Sequence, residues 1–160
     1  MILENLNEIK AIAESEKAKW KKIWFTNGCF DILHPWHIST FKEAKKYCDV
    51  LFVALNWDNS PYWKTKPGRP IHNQTHRSII LDSIKYIDYV VSFDEETPIE
   101  RIKEIMPDYL FKWWDYKAED IVWYKEVTEN WWKIVIIPTV EWYSTTNSVN
   151  KILWNESKKL

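Results

Sequence analysis

The chain has 160 residues and a formal net charge of −1, enough for one domain with a real core and too little for two. That charge leaves no general electrostatic footprint for nucleic acid or an anionic membrane, and no apolar run reaches the length of a membrane span. The two cysteines, Cys29 and Cys48, form neither a CxxC nor a disulfide framework, so a reducing cytoplasm is the expected setting. One feature of the composition is abnormal: 12 tryptophans accompany 2 glycines, where average glycine usage is about 7%.

Residues 2–19 carry Leu3, Leu6, Ile9, Ile12 and Ala13 at helical spacing, which predicts a charged amphipathic N-terminal helix with no signal-peptide core. Residues 22–26 read as a short apolar strand running into Asn-Gly. Residues 38–47 read as a helix with Phe41 and Ala44 inward, and 49–56 (DVLFVALN) as a strand buried on both faces. Residues 59–71 hold three prolines and a glycine, which marks a long functional loop. Asn73 caps a helix expected to reach residue 86, with Ile79, Ile80 and Ile84 on its inner face. A third strand follows at 89–93 and a helix at 97–106 with proline in its first turn. Strands at 109–112 and 133–138 and a closing helix at 144–153 complete the order. Residues 1–20 are therefore expected as an N-terminal helix and 21–155 as the domain itself, with no internal repeat.

Strands alternating with helices predict an α/β fold, a Rossmann-like, doubly wound, five-stranded parallel sheet in three α/β/α layers. Ligands of such sheets bind beyond the carboxyl ends of the strands. The turn at 27–37, the loop at 56–70, residues 112–116 and residues 141–147 all fall at that edge.

His34 and His37 stand three apart where a strand meets a helix, so both imidazoles can serve one anion together with the free N–H groups of the helix start. Fixed donors at a phosphoryl group lower the barrier to attack on phosphorus. The alternative for the pair is a surface or capping role. A zinc site from Cys29, His34 and His37 lacks a fourth ligand. Lys64, Lys66 and Arg69 lie in the long loop, and Arg77 stands one turn into the next helix. Cations so placed suit polyphosphate, with a solvated loop as the plainer alternative. Asp31 and Asp58 end the first two strands and suit a histidine partner, a Mg²⁺-bound water or a ribose; both are also ordinary turn formers. His72 and His76 have i, i+4 spacing but lack the Glu of a zinc hydrolase motif, and read as helix-start residues. Ser144, Thr145, Thr146 and Asn147 supply a cap and hydroxyls at a second helix start.

The string TNGCFDILHPWH resembles the first motif of the nucleotidyltransferase superfamily with a His-x-Gly-His signature, and the resemblance runs over residues 22–153. FKWWDY resembles the Lys-Gly-Gly-Asp-Tyr segment of the heptose 1-phosphate adenylyltransferases, EWYSTTN their Glu-Gly-x-Ser-Thr-Thr segment, and GRP at 68–70 their loop. The glycerol-3-phosphate cytidylyltransferases share the histidines, loop lysines and Ser-Thr-Thr, but carry an Arg where this chain has Thr139. The resemblance implies attack of a sugar phosphate on the α-phosphate of ATP, with Mg²⁺ and release of pyrophosphate. It implies His34, His37 and Lys64 as catalytic residues. Thr26, Asn27, Gly28, Cys29, Phe30, Asp31, Lys66, Arg77, Lys112, Asp115, Ser144, Thr145 and Thr146 would bind nucleotide. Asp58 and Arg69 would bind the acceptor, and no protein metal site is implied. The partners are small molecules, with neither nucleic acid nor membrane, and the N-terminal helix could pair two subunits. The runner-up is a glycerol-3-phosphate cytidylyltransferase.

Trp36, Trp113, Trp114 and Trp142 stand where the resemblance demands glycine, and Trp131-Trp132 and Trp123 stand in tight connections. One substitution type points to one cause, a UGA codon rendered as tryptophan where the source organism reads glycine. Trp20, Trp57, Trp63 and Trp154 are undecided by motif, and Trp24 suits its strand. If Trp36 is genuine, the chain reads instead as a non-catalytic nucleotide-binding module.

Overall fold

The computed structural model describes residues 1–113 and 133–137. Within them run β1 (Ile2–Leu3), α1 (Leu6–Ala18), β2 (Ile23–Gly28), α2 (Pro35–Ala44), β3 (Val50–Asn56), a 3-10 turn (Pro61–Thr65), α3 (Gln74–Asp82), β4 (Tyr89–Phe93), α4 (Ile99–Ile105), β5 (Tyr109–Trp113) and β6 (Lys133–Ile137). The expected closing helix, and the residues around Asp115, Trp123 and Ser144, lie outside the described residues.

Every described strand pair is parallel, in the order β1-β4-β3-β2-β5-β6. The described sheet therefore has six strands where five were expected. The extra one is β1: Ile2 and Leu3 were read into the first helix, but they pair with Val90 and Val91. Asn5 then starts α1, its side chain accepting from the Glu8 amide. Leu3 fits an apolar spacing in either state, which is why periodicity alone misplaced it.

Alternation along the strands divides the core between two faces. Phe25, Phe52, Val91 and Leu110 bury against α1 and α4 together with Ile9, Ala13, Ile102 and Ile105. Trp24, Leu51, Val53, Val90 and Phe111 bury on the other face with Phe41, Ala44 and Leu81 of α2 and α3. β3 is buried throughout, as its unbroken apolar run requires. At the amino edge, Asp49, Asp88 and Asp108 each stand just before a strand and accept the backbone amide of the neighbouring one, from Lys22, Leu51 and Ile23.

The inner face of α3 departs from expectation. Ile79 and Ile80 are 53% and 40% exposed, and Arg77, Ser78 and Leu81 face inward instead. The chain winds outward from β2 through β3 to β4, then returns to lay β5 on the other side of β2. The switch point of the sheet is thus the crevice between β2 and β5 at their carboxyl ends, where a ligand fits.

Candidate active site

β2 ends at Gly28 beside that crevice. Phe30 then adopts φ +47° and folds its buried ring back, so close that a Cβ on Gly28 would stand 2.9 Å from the ring. At this residue a side chain is opposed by space, since the Phe30 ring would have to shift, and not by dihedral angles. The turn delivers His34 as the N-cap of α2, in extended conformation, with Pro35 at the first helical position. The His34 amide donates to Nδ1 of His37 at 3.2 Å, and the His37 amide donates back to the His34 carbonyl at 3.0 Å. The two imidazole centroids come within 3.9 Å. Burial pushes His34 below the ordinary imidazole range, and burial followed by the neighbouring His34 pushes His37 down to about 3. Both shifts favour the neutral imidazole.

Trp36 lies half-buried with its ring parallel to His34, 5.8 Å between centroids. Its backbone is ordinary helix, so at this position the case for glycine rests on space alone.

The long loop after β3 is held at both ends. Arg77 is fully buried and spends four of its five N–H groups inside the protein: on the carbonyls of His72 (2.9 Å), Cys29 (2.6 Å) and Asn56 (2.7 Å) and on the Asp58 carboxylate (2.6 Å). Asp31, also buried, pairs with Arg69 and accepts the amides of Ile71 (2.8 Å) and His72 (3.0 Å). Between these anchors Lys64 and Lys66 are exposed, Lys66 donating to the Tyr62 hydroxyl. Lys112 is buried and reaches the Asn27 carbonyl at 3.4 Å across the β2–β5 crevice. Cys29 is unreactive by environment: burial pushes its thiol up to about 11.

The structure places the expected site residues as follows. Thr26 is buried and its hydroxyl donates to the Phe111 carbonyl, so it ties β2 to β5. Arg77, expected on phosphate, is enclosed and committed to carbonyls. Asp31, Arg69 and Asp58, expected on nucleotide and acceptor, hold the loop. A signal for Arg77 was available: it shares a helical stripe with Leu81 and Ile84, which places it inward. The two carboxylates are each paired with an arginine, Asp31 with Arg69 and the partly exposed Asp58 with Arg77. Asp115, Ser144, Thr145 and Thr146 lie outside the described residues. What the edge does assemble is His34, His37, Lys112, the backbone at 27–30 and the lysine-bearing loop.

A doubly wound parallel sheet with a histidine pair at the start of α2 and cations on the loop before α3 fits a nucleotidyltransferase of Rossmann-like fold. The chain belongs to the cytidylyltransferase-like family, whose model matches residues 25–151. It is 44% identical over 146 residues to the bifunctional protein HldE of Histophilus somni, covering 91% of this chain and 31% of that protein. It is 42% identical over 154 residues to the same-named protein of Aliarcobacter butzleri, covering 96% of this chain and 32% of that one. The chain thus spans about a third of the length of these curated relatives. Among solved structures, the lipopolysaccharide core biosynthesis protein of Thermoplasma volcanium superposes with TM-score 0.64 at 24% identity, over 77% of this chain and 99% of that one. The pantoate-beta-alanine ligase of Francisella tularensis, complexed with beta-gamma ATP and beta-alanine, gives 0.66 at 20%, over 92% and 72%. These two likenesses confirm the fold. No helix among the described residues is long and apolar enough to cross a membrane.

Proposed function

We propose that this protein transfers the adenylyl group of ATP to a sugar 1-phosphate, heptose 1-phosphate, and releases pyrophosphate. The observation that carries the chemistry is the histidine pair at the start of α2, beside the β2–β5 crevice. The choice of heptose and of ATP is supported by the FKWWDY and EWYSTTN segments and by Thr139 in place of an arginine.

In this reaction an oxygen of the sugar phosphate forms a bond to the α-phosphorus, and the bond from that phosphorus to the β-phosphate bridging oxygen breaks. The electron pair leaves with pyrophosphate. The attacking phosphate monoester has a second pKa of about 6, so it is already ionised at neutral pH and needs no general base. The protein's part is to hold the reactants in line and to stabilise charge growing on the α-phosphoryl oxygens, the role of His34 and His37. Lys112 and the loop lysines neutralise phosphates, and Mg²⁺ enters with the triphosphate as part of the substrate.

A pyrophosphate-release assay with ATP and CTP against heptose 1-phosphate and glycerol 3-phosphate tests the proposal. It is run on the chain as written and on its Trp36→Gly, Trp113→Gly, Trp114→Gly, Trp142→Gly form. Preference for ATP with heptose 1-phosphate is expected, and preference for CTP with glycerol 3-phosphate would replace it with the cytidylyltransferase reading. Nucleotide binding without turnover in both forms would leave the non-catalytic module.

A further inference from the structure

A chain of polar contacts runs from the exposed loop to the end of β2. Its buried end is Asn56, the last residue of β3, whose side-chain amide donates to Ser60 Oγ at 3.3 Å. The Oδ1 of Asn56 accepts from Cys29 Sγ at 3.8 Å, and Cys29 directly follows Gly28 at the end of β2. The Cys29 thiol is hydrogen-bonded in turn to the Tyr62 hydroxyl. That hydroxyl accepts from Lys66 Nζ, which also lies 4.3 Å from the centre of the Tyr62 ring.

Counting hydrogens gives the chain a direction. A thiol has one hydrogen, and that of Cys29 goes to Asn56, so toward Tyr62 the sulfur can only accept. The Tyr62 O–H therefore donates to sulfur, and its oxygen takes the Lys66 ammonium. A cation on a phenol oxygen makes that phenol a better donor, so each contact strengthens the next. Burial first, then Cys29, pushes the Tyr62 hydroxyl up to about 12, so it keeps the proton it needs for this task.

We infer that Tyr62 is a positioning residue for nucleotide binding: its hydroxyl ties the Lys66 ammonium of the long loop to Cys29, at the carboxyl end of β2. The other anchors of the loop, Arg69 on Asp31 and Arg77 on Cys29, Asn56, Asp58 and His72, fix its backbone ends. They leave the four methylenes of Lys66 to rotate. Tyr62 restricts that freedom beforehand, which lowers the entropy lost when a phosphate is bound. An ammonium has three hydrogens, so Tyr62 and a phosphate oxygen can hold it together. Lys112 reaches the Asn27 carbonyl from β5, and both ammoniums act on the Cys29 thiol, so the two cations approach one turn from opposite elements. The nucleotide half of this inference rests on the proposed adenylyl transfer; the tie does not.

Tyr62→Phe tests both halves, because it keeps the ring and removes only the hydroxyl. In limited trypsin digestion of the full chain followed by mass spectrometry, cleavage after Lys64 should be about fivefold faster in the variant, the loss of one hydrogen bond to local opening. Equal cleavage rates would show that the hydroxyl does not hold the turn and would overturn the inference. Calorimetry with ATP and Mg²⁺ then compares Tyr62→Phe, Lys66→Ala and the double variant. Lys66→Ala should weaken ATP by about fivefold and Tyr62→Phe by about threefold. The double variant should bind no more weakly than Lys66→Ala, because without the ammonium the hydroxyl has nothing to position. In steady-state turnover the Tyr62→Phe effect should fall on KM for ATP and not on kcat, a split that general loosening of the site would not give. Multiplying losses in the double variant, or unchanged ATP affinity in Tyr62→Phe, would overturn the positioning role. Absence of ATP binding in the unsubstituted chain would remove the nucleotide half along with the proposed function, while the cleavage rates would still decide the tie.

Discussion

Trp20 is the residue at which the tryptophan excess acquires a structural price. It follows the C-cap of α1 with φ +60°, its amide bonded to the Lys17 carbonyl and the next amide, of Lys21, to that of Glu16. This is the paired bonding of a Schellman motif, whose left-handed residue is ordinarily glycine. Its side chain is 95% exposed and packs on nothing that would offset the strain. Trp24 is the opposite case: buried, stacked on Tyr47 at 5.9 Å and tilted against Tyr109 at 5.3 Å, it belongs where it is. Trp20→Gly should stabilise the protein by about 1 kcal/mol, a rise of about 2–4 °C in thermal midpoint that differential scanning calorimetry would read. A fall in midpoint would refute the glycine reading there. If UGA is the common cause, the coding sequence carries TGA at positions 20, 36, 113 and 114 and TGG at position 24. TGG at 36, 113 and 114 would end that explanation.

At the scale of elements, the long loop between β3 and α3 is held by interactions its own sequence does not reveal. Arg77 gathers the turn after β2, the end of β3 and both ends of the loop on one buried guanidinium. Arg77→Ala would leave three carbonyls without that donor, two of them flanking the site, and should cost about 3–5 kcal/mol. Asp58→Asn removes only the partly exposed carboxylate of the set and should cost about 1 kcal/mol or less. Urea unfolding of the two variants checks the order, and equal losses would show that the ion pair, not the carbonyl contacts, dominates. Lys64 and Lys66 lie on the exposed part of the same loop. Lys64→Ala and Lys66→Ala should raise KM for the nucleotide and reduce the salt sensitivity of turnover, because each removes a screened phosphate contact. Unchanged kinetics in both would leave them as solvated loop charges.

Across the whole molecule, the two edges of the sheet divide the work. The carboxyl edge carries the histidines and the loop, while the amino edge carries aspartates bonded to neighbouring strands and the buried Glu16. Glu16 binds Lys21 at 2.5 Å, Lys19 at 3.0 Å and the Tyr89 hydroxyl at 3.3 Å. The Lys21 hydrogen bond above all, with Lys19 adding to it and burial opposing it, holds this carboxyl below its ordinary range. A lowered folded pKa favours the ionised form in the native state. Its stabilisation is therefore fully present above the unfolded value, about 4.3, and is lost as the pH falls through the lower folded value. Glu16→Gln should cost about 1–2 kcal/mol near neutral pH and flatten that part of the acid limb, with kcat unchanged. Thermal midpoints against pH test this, and a parallel-shifted curve would assign the acid limb to other carboxylates.

The layer architecture, the parallel sheet and the histidine pair at a strand-to-helix turn were all legible in the amino-acid order. Each depends on local periodicity and on short motifs such as 34–37, which one stretch of chain carries by itself. The tertiary structure decided how the charged residues are spent. Asp31 meets Arg69 across 38 positions and Arg77 meets Cys29 across 48, and the folded sheet brings these segments together. It also separated β1 from α1, because Ile2 and Leu3 satisfy helical and extended patterns equally until β4 offers them a partner.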